Sequence, residues 1–274
     1  MAIELVHLTP ENSKDFESVI PSQVLIPGEI FAIGAYDTSG EVCGAICAKY
    51  QDFEYQIDWL YVSPSYRRRG VASMLLNEFE SFMNLTGEIY PVTGLFEAPY
   101  DDLSLYGFFL SKEKFDISYS HQRYYVSFNE IFNNKRLKTE IEIDIEEKEF
   151  FSLPMKIREE ILSKICADGQ YAITDKELWA ERCEKKLCRV ATLEGEMCAA
   201  IFIADREDID LELSYLYSTN VWATKKLLCS VTGIINKYYK GSGIIFDVIN
   251  KESEIMAKKL FPTAKKVFVY EVSR

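Results

Sequence analysis

Hydrophobic positions along the chain switch between a two-residue and a 3.6-residue period in a fixed succession, and that succession occurs twice. Ile3-Glu4-Leu5 alternates like a strand. Phe31-Ala32-Ile33-Gly34-Ala35-Tyr36 and Glu41-Val42-Cys43-Gly44-Ala45-Ile46-Cys47-Ala48 are two β-like runs joined by a turn ending in Gly40, which predicts a hairpin. Asp58 to Val62 reads as a further strand. Val71, Met74, Leu75, Phe79 and Phe82 then fall on one face of a helix. A strand over Gly87 to Val92, a second helix carrying Tyr106 and Phe109, and a closing strand from Gln122 to Phe128 complete the set.

The second half follows the same plan. Ile141-Glu142-Ile143 stands for the first strand. Leu187 to Thr192 and Glu196 to Ile203 stand for the hairpin, with Gly195 in its turn and Cys198 where Cys43 stood. Leu213-Ser214-Tyr215-Leu216-Tyr217-Ser218-Thr219 parallels the run from Asp58 to Pro64. Leu227, Leu228, Val231, Ile234 and Ile235 form the helix face, Gly243 to Val248 the next strand, and Lys266 to Val272 the closing one. The expected class is α/β (α+β): two copies of a mixed, mostly antiparallel sheet with flanking helices, residues 1–134 and 135–274. The polar stretch Asn133-Asn134-Lys135-Arg136-Leu137-Lys138 has no apolar period and serves as the join.

Composition narrows the function classes. Hydrophobic residues make up 48% of the 274, which argues for packed globular domains. The 31 basic against 43 acidic residues give a net charge of −12, which disfavours nucleic acid and suits a cationic small-molecule or peptide partner. The start, Met1-Ala2-Ile3-Glu4-Leu5, is not that of a signal peptide, and no apolar run is long enough to span a membrane, so a cytoplasmic protein is expected. Seven cysteines, odd in number and set within apolar runs, read as reduced thiols. Cys183 and Cys188 lack the paired clusters of a zinc site, and with only His7 and His121 as histidines no metal is expected. The aromatic run Tyr119 to Tyr125 reads as a half-buried strand rather than a base-stacking surface.

The chemistry concentrates in Leu60-Tyr61-Val62-Ser63-Pro64-Ser65-Tyr66-Arg67-Arg68-Arg69-Gly70-Val71-Ala72. Pro64 ends the strand. Gly70 lets backbone amides approach a ligand closely. The helix start leaves amides without internal acceptors, and these with the helix dipole favour an anion such as a diphosphate. Three arginines in a row oppose that dipole unless an anion joins them. The run resembles the main signature of the GNAT acyltransferase superfamily, a strand ending Leu-x-Val-x-Pro followed by Arg or Gln-x-x-Gly-x-Gly or Ala at a helix start. The order of elements over residues 1 to about 132 is also similar to that family.

The resemblance implies a twisted GNAT-like fold in each half and acetyl-CoA as cosubstrate. It implies cofactor contacts from Leu60, Tyr61, Val62, Arg67, Arg68, Arg69, Gly70, Val71, Ala72 and Ser73, and direct transfer of the acyl group to an amine. It also implies that the strand Asp58 to Val62 parts from its neighbour, with the Val62 amide donating to the developing oxyanion. Asp58, expected on the strand face of Leu60 and Val62, and Glu97 are the candidate bases. The family often supplies a Tyr acid five residues before the Phe of a Gly-Phe pair. Here that pair is Lys114-Phe115 and the counted position is Leu110, so Tyr106, one turn earlier, is the substitute. In the second copy Trp222-Ala223-Thr224 replaces the glycine loop, Asn220 is a ready helix cap, and a structural or acceptor-shaping role is expected. Two rival readings remain: an acyl-CoA sensor or scaffold without turnover, and a binder of other nucleotide diphosphates.

Overall fold

A computed structural model describes residues 2–21, 24, 30–51, 53–85, 90–99, 103–112, 114–138, 144–167, 183–205, 210–239, 241 and 243–274. The chain divides into two units, Met1–Ser120 together with Phe268–Arg274, and His121–Val267.

The first unit opens with β1 (Ile3–His7), β2 (Ile30–Asp37), β3 (Val42–Gln51) and β4 (Glu54–Val62), an antiparallel run in sequence order. Helix α1 (Val71–Leu85) crosses to β5 (Val92–Pro99), which pairs with β4 in parallel, and α2 (Ser104–Leu110) follows. The expected helix period is real: Val71, Leu75, Leu76, Phe79 and Met83 are buried along one side of α1. They pack against Ile33, Ile46, Ala48, Ile57 and Phe96. Each such side chain, fully buried, contributes about 1.5–3 kcal/mol of transfer free energy. The opposite sheet face is covered near β2 and β3 by Phe16, Val19 and Ile20, which meet Ala32, Ala45 and Cys47. The residues expected to start the strand at Gly87 lie outside the described residues up to Ile89, and the strand itself begins at Val92.

The second unit starts in β6 (Asp116–Ser127) at His121 and continues through α3 (Phe128–Asn133) and β7 (Glu146–Glu149) to α4 (Met155–Ala167). There follow β8 (Arg189–Leu193), β9 (Glu196–Asp205), β10 (Leu211–Ser218), α5 (Val221–Tyr238), β11 (Gly243–Val248) and α6 (Lys251–Leu260). Its sheet runs β6-β11-β10-β9-β8-β7, antiparallel except for β10 with β11. The stretch Ile141 to Ile143, expected as this copy's first strand, lies outside the described residues.

The closing strands differ from expectation. Residues Gln122 to Ser127 of β6 pair with β11, in the second unit rather than the first. Residues 268–274, mostly in β12 (Lys265–Ser273), belong to the first unit. There Arg274 and Val92 exchange both backbone hydrogen bonds (2.8 and 3.0 Å), Tyr270 stacks on Phe96, and Val272 is buried beside α1's core. Both segments mix valine with aromatic residues in a strand-like pattern, so sequence alone does not say which sheet each completes.

Among the described residues no helix is long and apolar enough to cross a membrane. The described cysteines are free thiols.

Candidate functional site

The first unit holds an opening built from backbone. β4 and β5 pair in parallel only at Tyr55–Val92, Gln56–Thr93 and Ile57–Gly94, although β4 runs on to Val62 and β5 to Pro99. Beyond Ile57 the two strands part. On the other side β4 remains paired with β3 to Val62. The Ser63 amide donates to the Cys43 carbonyl at 2.8 Å. Alternation along an antiparallel ladder therefore points the amides of Tyr61 and Trp59 at β3 and those of Val62 and Leu60 at the parting edge.

At the head of this opening the chain turns through Arg67, Arg68 and Arg69 into α1. Gly70 sits at φ +84°, a conformation that strains other residues, and a Cβ added there would meet nothing within 4 Å. Arg68 also has positive φ, +61°. The first helical bond runs from the Met74 amide to the Gly70 carbonyl (3.0 Å), so the helix begins at Val71, two residues after the expected start near Arg69. The amides of Val71, Ala72 and Ser73 thus precede the helix's own acceptors, and glycine offers no side chain to cap them. Arg67 donates from Nε to the Val62 carbonyl (3.0 Å) and lies 5.9 Å from the Tyr61 ring centre. Arg69 lies 5.6 Å from the Tyr66 ring centre. The set fits a diphosphate: bare amides, open space at the glycine, and cations around it.

Tyr66 was not singled out from sequence, yet it ties this loop to the β2–β3 hairpin. It is buried in the middle of an otherwise exposed turn. Its hydroxyl donates to Asp37 Oδ2 (2.8 Å), with Glu41 Oε2 at 3.0 Å. Hydrogen bonding to Asp37 is the main cause of a phenol pKa raised well above its ordinary value. Asp37 is held below the usual carboxylate range, chiefly by the Ser39 hydroxyl and then by the Glu41 amide and Tyr66. A tyrosine inside a basic turn was the one visible signal; its partners lie 25 and 29 residues away in sequence.

The candidate acid–base residues are placed differently from expectation. β4 carries a bulge: Ala48 faces Ile57 and Cys47 faces Trp59, leaving Asp58 as the extra residue. Tyr55, Ile57, Leu60 and Val62 pack toward α1, while Trp59 and Tyr61 pack on the opposite face. Asp58 therefore does not share the face of Leu60 and Val62. It lies on the far side with Lys49, whose ammonium is 2.6 Å from Asp58 Oδ2. The Cys47 thiol agrees, pushed up to about 12 by burial first and by the Asp58 charge second. On β5, Val92, Phe96 and Ala98 are buried toward α1, so Thr93 and Glu97 alternate onto the Asp58 face. Thr93 hydrogen bonds Glu54 there (3.2 Å). The two carboxylates expected as bases thus share a face, for a reason the period-two pattern did not contain. Tyr106 sits on α2, half-buried, with its ring 4.8 Å from that of Tyr270. Leu110 is exposed on the same helix.

The second unit keeps the opening, and its equivalent helix start is capped. β10 pairs with β11 only at Leu211–Ile244, Glu212–Ile245 and Leu213–Phe246, and carries a bulge between Leu213 and Tyr215. The Thr219 amide donates to the Cys198 carbonyl (2.9 Å), as Ser63 does to Cys43. These matches set Ser214, rather than Leu213, opposite Asp58, one residue from the expected alignment. At the start of α5 the Asn220 side chain accepts from the amides of Trp222 (2.9 Å) and Ala223 (3.2 Å). The expected cap is present, and it occupies donors that a phosphate would need.

Among known proteins, residues 5–93 match the model of the acetyltransferase (GNAT) family. A tandem GNAT protein from the clavulanic acid biosynthesis pathway is similar over 99% of this chain and 98% of its own, with a TM-score of 0.63 and 10% identity. A GCN5-related N-acetyltransferase from Sphaerobacter thermophilus is similar over 98% and 95%, with a TM-score of 0.68 and 10% identity. No curated protein matches the sequence. The N-terminal part of the chain carries a domain of the GNAT acetyltransferase family, and the chain as a whole has the fold of tandem GNAT proteins.

Proposed function

We propose that the first unit binds acetyl-CoA and transfers its acetyl group to an amine, and that the second unit binds no acyl-CoA. The observation that carries this is the coincidence of two devices: a helix start with bare amides and a glycine at φ +84°, and immediately before it a strand whose pairing with β5 ends at Ile57. A diphosphate on the first turn of α1, among Arg67, Arg68, Arg69, Gly70, Val71, Ala72 and Ser73, leaves the pantetheine arm to lie along Leu60, Tyr61 and Val62. Its amide groups would lie against the backbone of that edge, where the Val62 carbonyl already accepts from Arg67 Nε.

The thioester carbonyl then meets the Val62 amide. When the amine attacks, the carbonyl carbon gains a bond to nitrogen and its oxygen becomes an oxyanion. A backbone donor at that point contributes ~3 kcal/mol of transition-state stabilisation. Collapse breaks the C–S bond, and the thiolate takes a proton from Tyr106 or from water. The nitrogen loses its proton to a carboxylate on the Asp58–Glu97 face. Both carboxylates are candidates, and Asp58 would have to act from within its pair with Lys49. Replacing Glu97→Gln is expected to lower kcat/KM by about a hundredfold, the low end of general-base contributions. Asp58→Asn is expected to cost less. Equal pH–rate profiles for both variants and the parent protein would remove either carboxylate from that role.

Titration calorimetry with acetyl-CoA tests the binding claim, with one site per chain expected. No heat with acetyl-CoA or CoA would overturn the proposal, and two sites would overturn the silence of the second unit. The ion-paired Asp58 and the exposed Leu110 in the acid's place favour one second reading, a sensor that binds acyl-CoA without turnover. Thiol release from acetyl-CoA across a panel of amines separates the two readings.

A further inference from the structure

Lys112 follows α2 and sends its ammonium back to the start of α1, where Nζ donates to Ser73 Oγ at 3.0 Å. The Phe108 ring, one turn earlier, lies 5.2 Å away and holds the lysine stem on its course. Ser73 is the third residue of α1, within the turn whose amides lack helical acceptors. The other cations along this helix are differently placed. Lys114 and Arg274 both pair with Glu80, at 3.3 and 2.7 Å. Among the described residues Lys112 has no carboxylate partner; a hydroxyl and a ring face are what it touches. A cation at the positive end of a helix is repelled by the dipole and by the neighbouring arginines. The placement becomes favourable once an anion lies against the same turn.

We propose that Lys112 is a further phosphate ligand of the acyl-CoA site, reaching the first turn of α1 from the end of α2. The inference rests on the acetyl-CoA reading above and adds to it a contact from an element outside the arginine–glycine loop. A compact, strongly hydrated ammonium held by one hydroxyl suits a phosphate ester, whether the diphosphate or the 3′-phosphate. Recognition would then depend on the placement of α2 relative to α1, whose Phe109 and Phe79 share one core.

The test compares the parent protein with Lys112→Met and Lys112→Arg. Calorimetry with acetyl-CoA is expected to show about a tenfold higher Kd for Lys112→Met, the loss of one charge-assisted hydrogen bond, and most of the affinity recovered in Lys112→Arg. The ratio of kcat/KM for acetyl-CoA to that for acetyl-pantetheine, which has no phosphate, should fall by about the same factor. Packing damage would lower both substrates together and leave the ratio where it was. With 3′-dephospho-acetyl-CoA, a vanished difference between parent and Lys112→Met assigns the lysine to the 3′-phosphate, and a persisting one to the diphosphate. Equal affinities of parent and Lys112→Met for acetyl-CoA would overturn the inference while leaving the acetyl-CoA site standing. A parent protein that binds no acetyl-CoA would overturn both.

Discussion

Gly70→Phe is expected to raise the dissociation constant for acetyl-CoA by about a hundredfold or more while leaving the protein folded. A hundredfold corresponds to ~2.7 kcal/mol, the value of one or two hydrogen bonds to a charged group. The side chain would stand in the space that is empty around the glycine, where a Cβ meets nothing within 4 Å, and would hold a diphosphate off the amides of Val71, Ala72 and Ser73. The cost to folding stays modest, of the order of 1–3 kcal/mol for a non-glycine residue at positive φ. Gly70→Asn separates the two effects, since asparagine tolerates that backbone region. Calorimetry alongside a thermal melt measures both. Unchanged affinity in Gly70→Phe would mean that the first turn of α1 does not meet the ligand's phosphates.

Removing residues 268–274 is expected to do more, abolishing acetyl-CoA binding by unfolding the first unit. Those seven residues bury Val269 and Val272, stack Tyr270 on Phe96, pair Arg274 with Glu80, and hydrogen bond to the start of β5 at Val92. Two buried valines alone represent about 3–6 kcal/mol of transfer free energy. That is a large share of the ~5–15 kcal/mol by which a domain is stable. A truncated chain that melts in one cooperative step and binds acetyl-CoA as tightly as the full chain would show that the C-terminal strand is dispensable to that unit.

Much of this was legible in the sequence, because it depends on local rules. The hairpins, the face of α1, the end of β4 at Pro64 and the anion-binding turn each follow from a period, a turn residue or a missing side chain. Three features were not, and each depends on distant pairing. The bulge on β4 inserts one residue, Asp58, and thereby moves every later side chain to the face opposite the one that simple alternation assigns relative to Tyr55 and Ile57. β10 carries the corresponding bulge at Ser214, the residue equivalent to Asp58. The tether of Tyr66 to Asp37 and Glu41 joins residues that no local pattern connects. The exchange of closing strands is invisible for a related reason: a strand's alternation records that it has a buried face, and not whose.

Asn220 makes the start of α5 self-sufficient. A helix start that is closed by its own asparagine is complete as translated, whereas one left open to solvent is finished only when a metabolite arrives. An end sealed from within needs no small molecule to satisfy its amides, so the fold of that half stands on its own side chains.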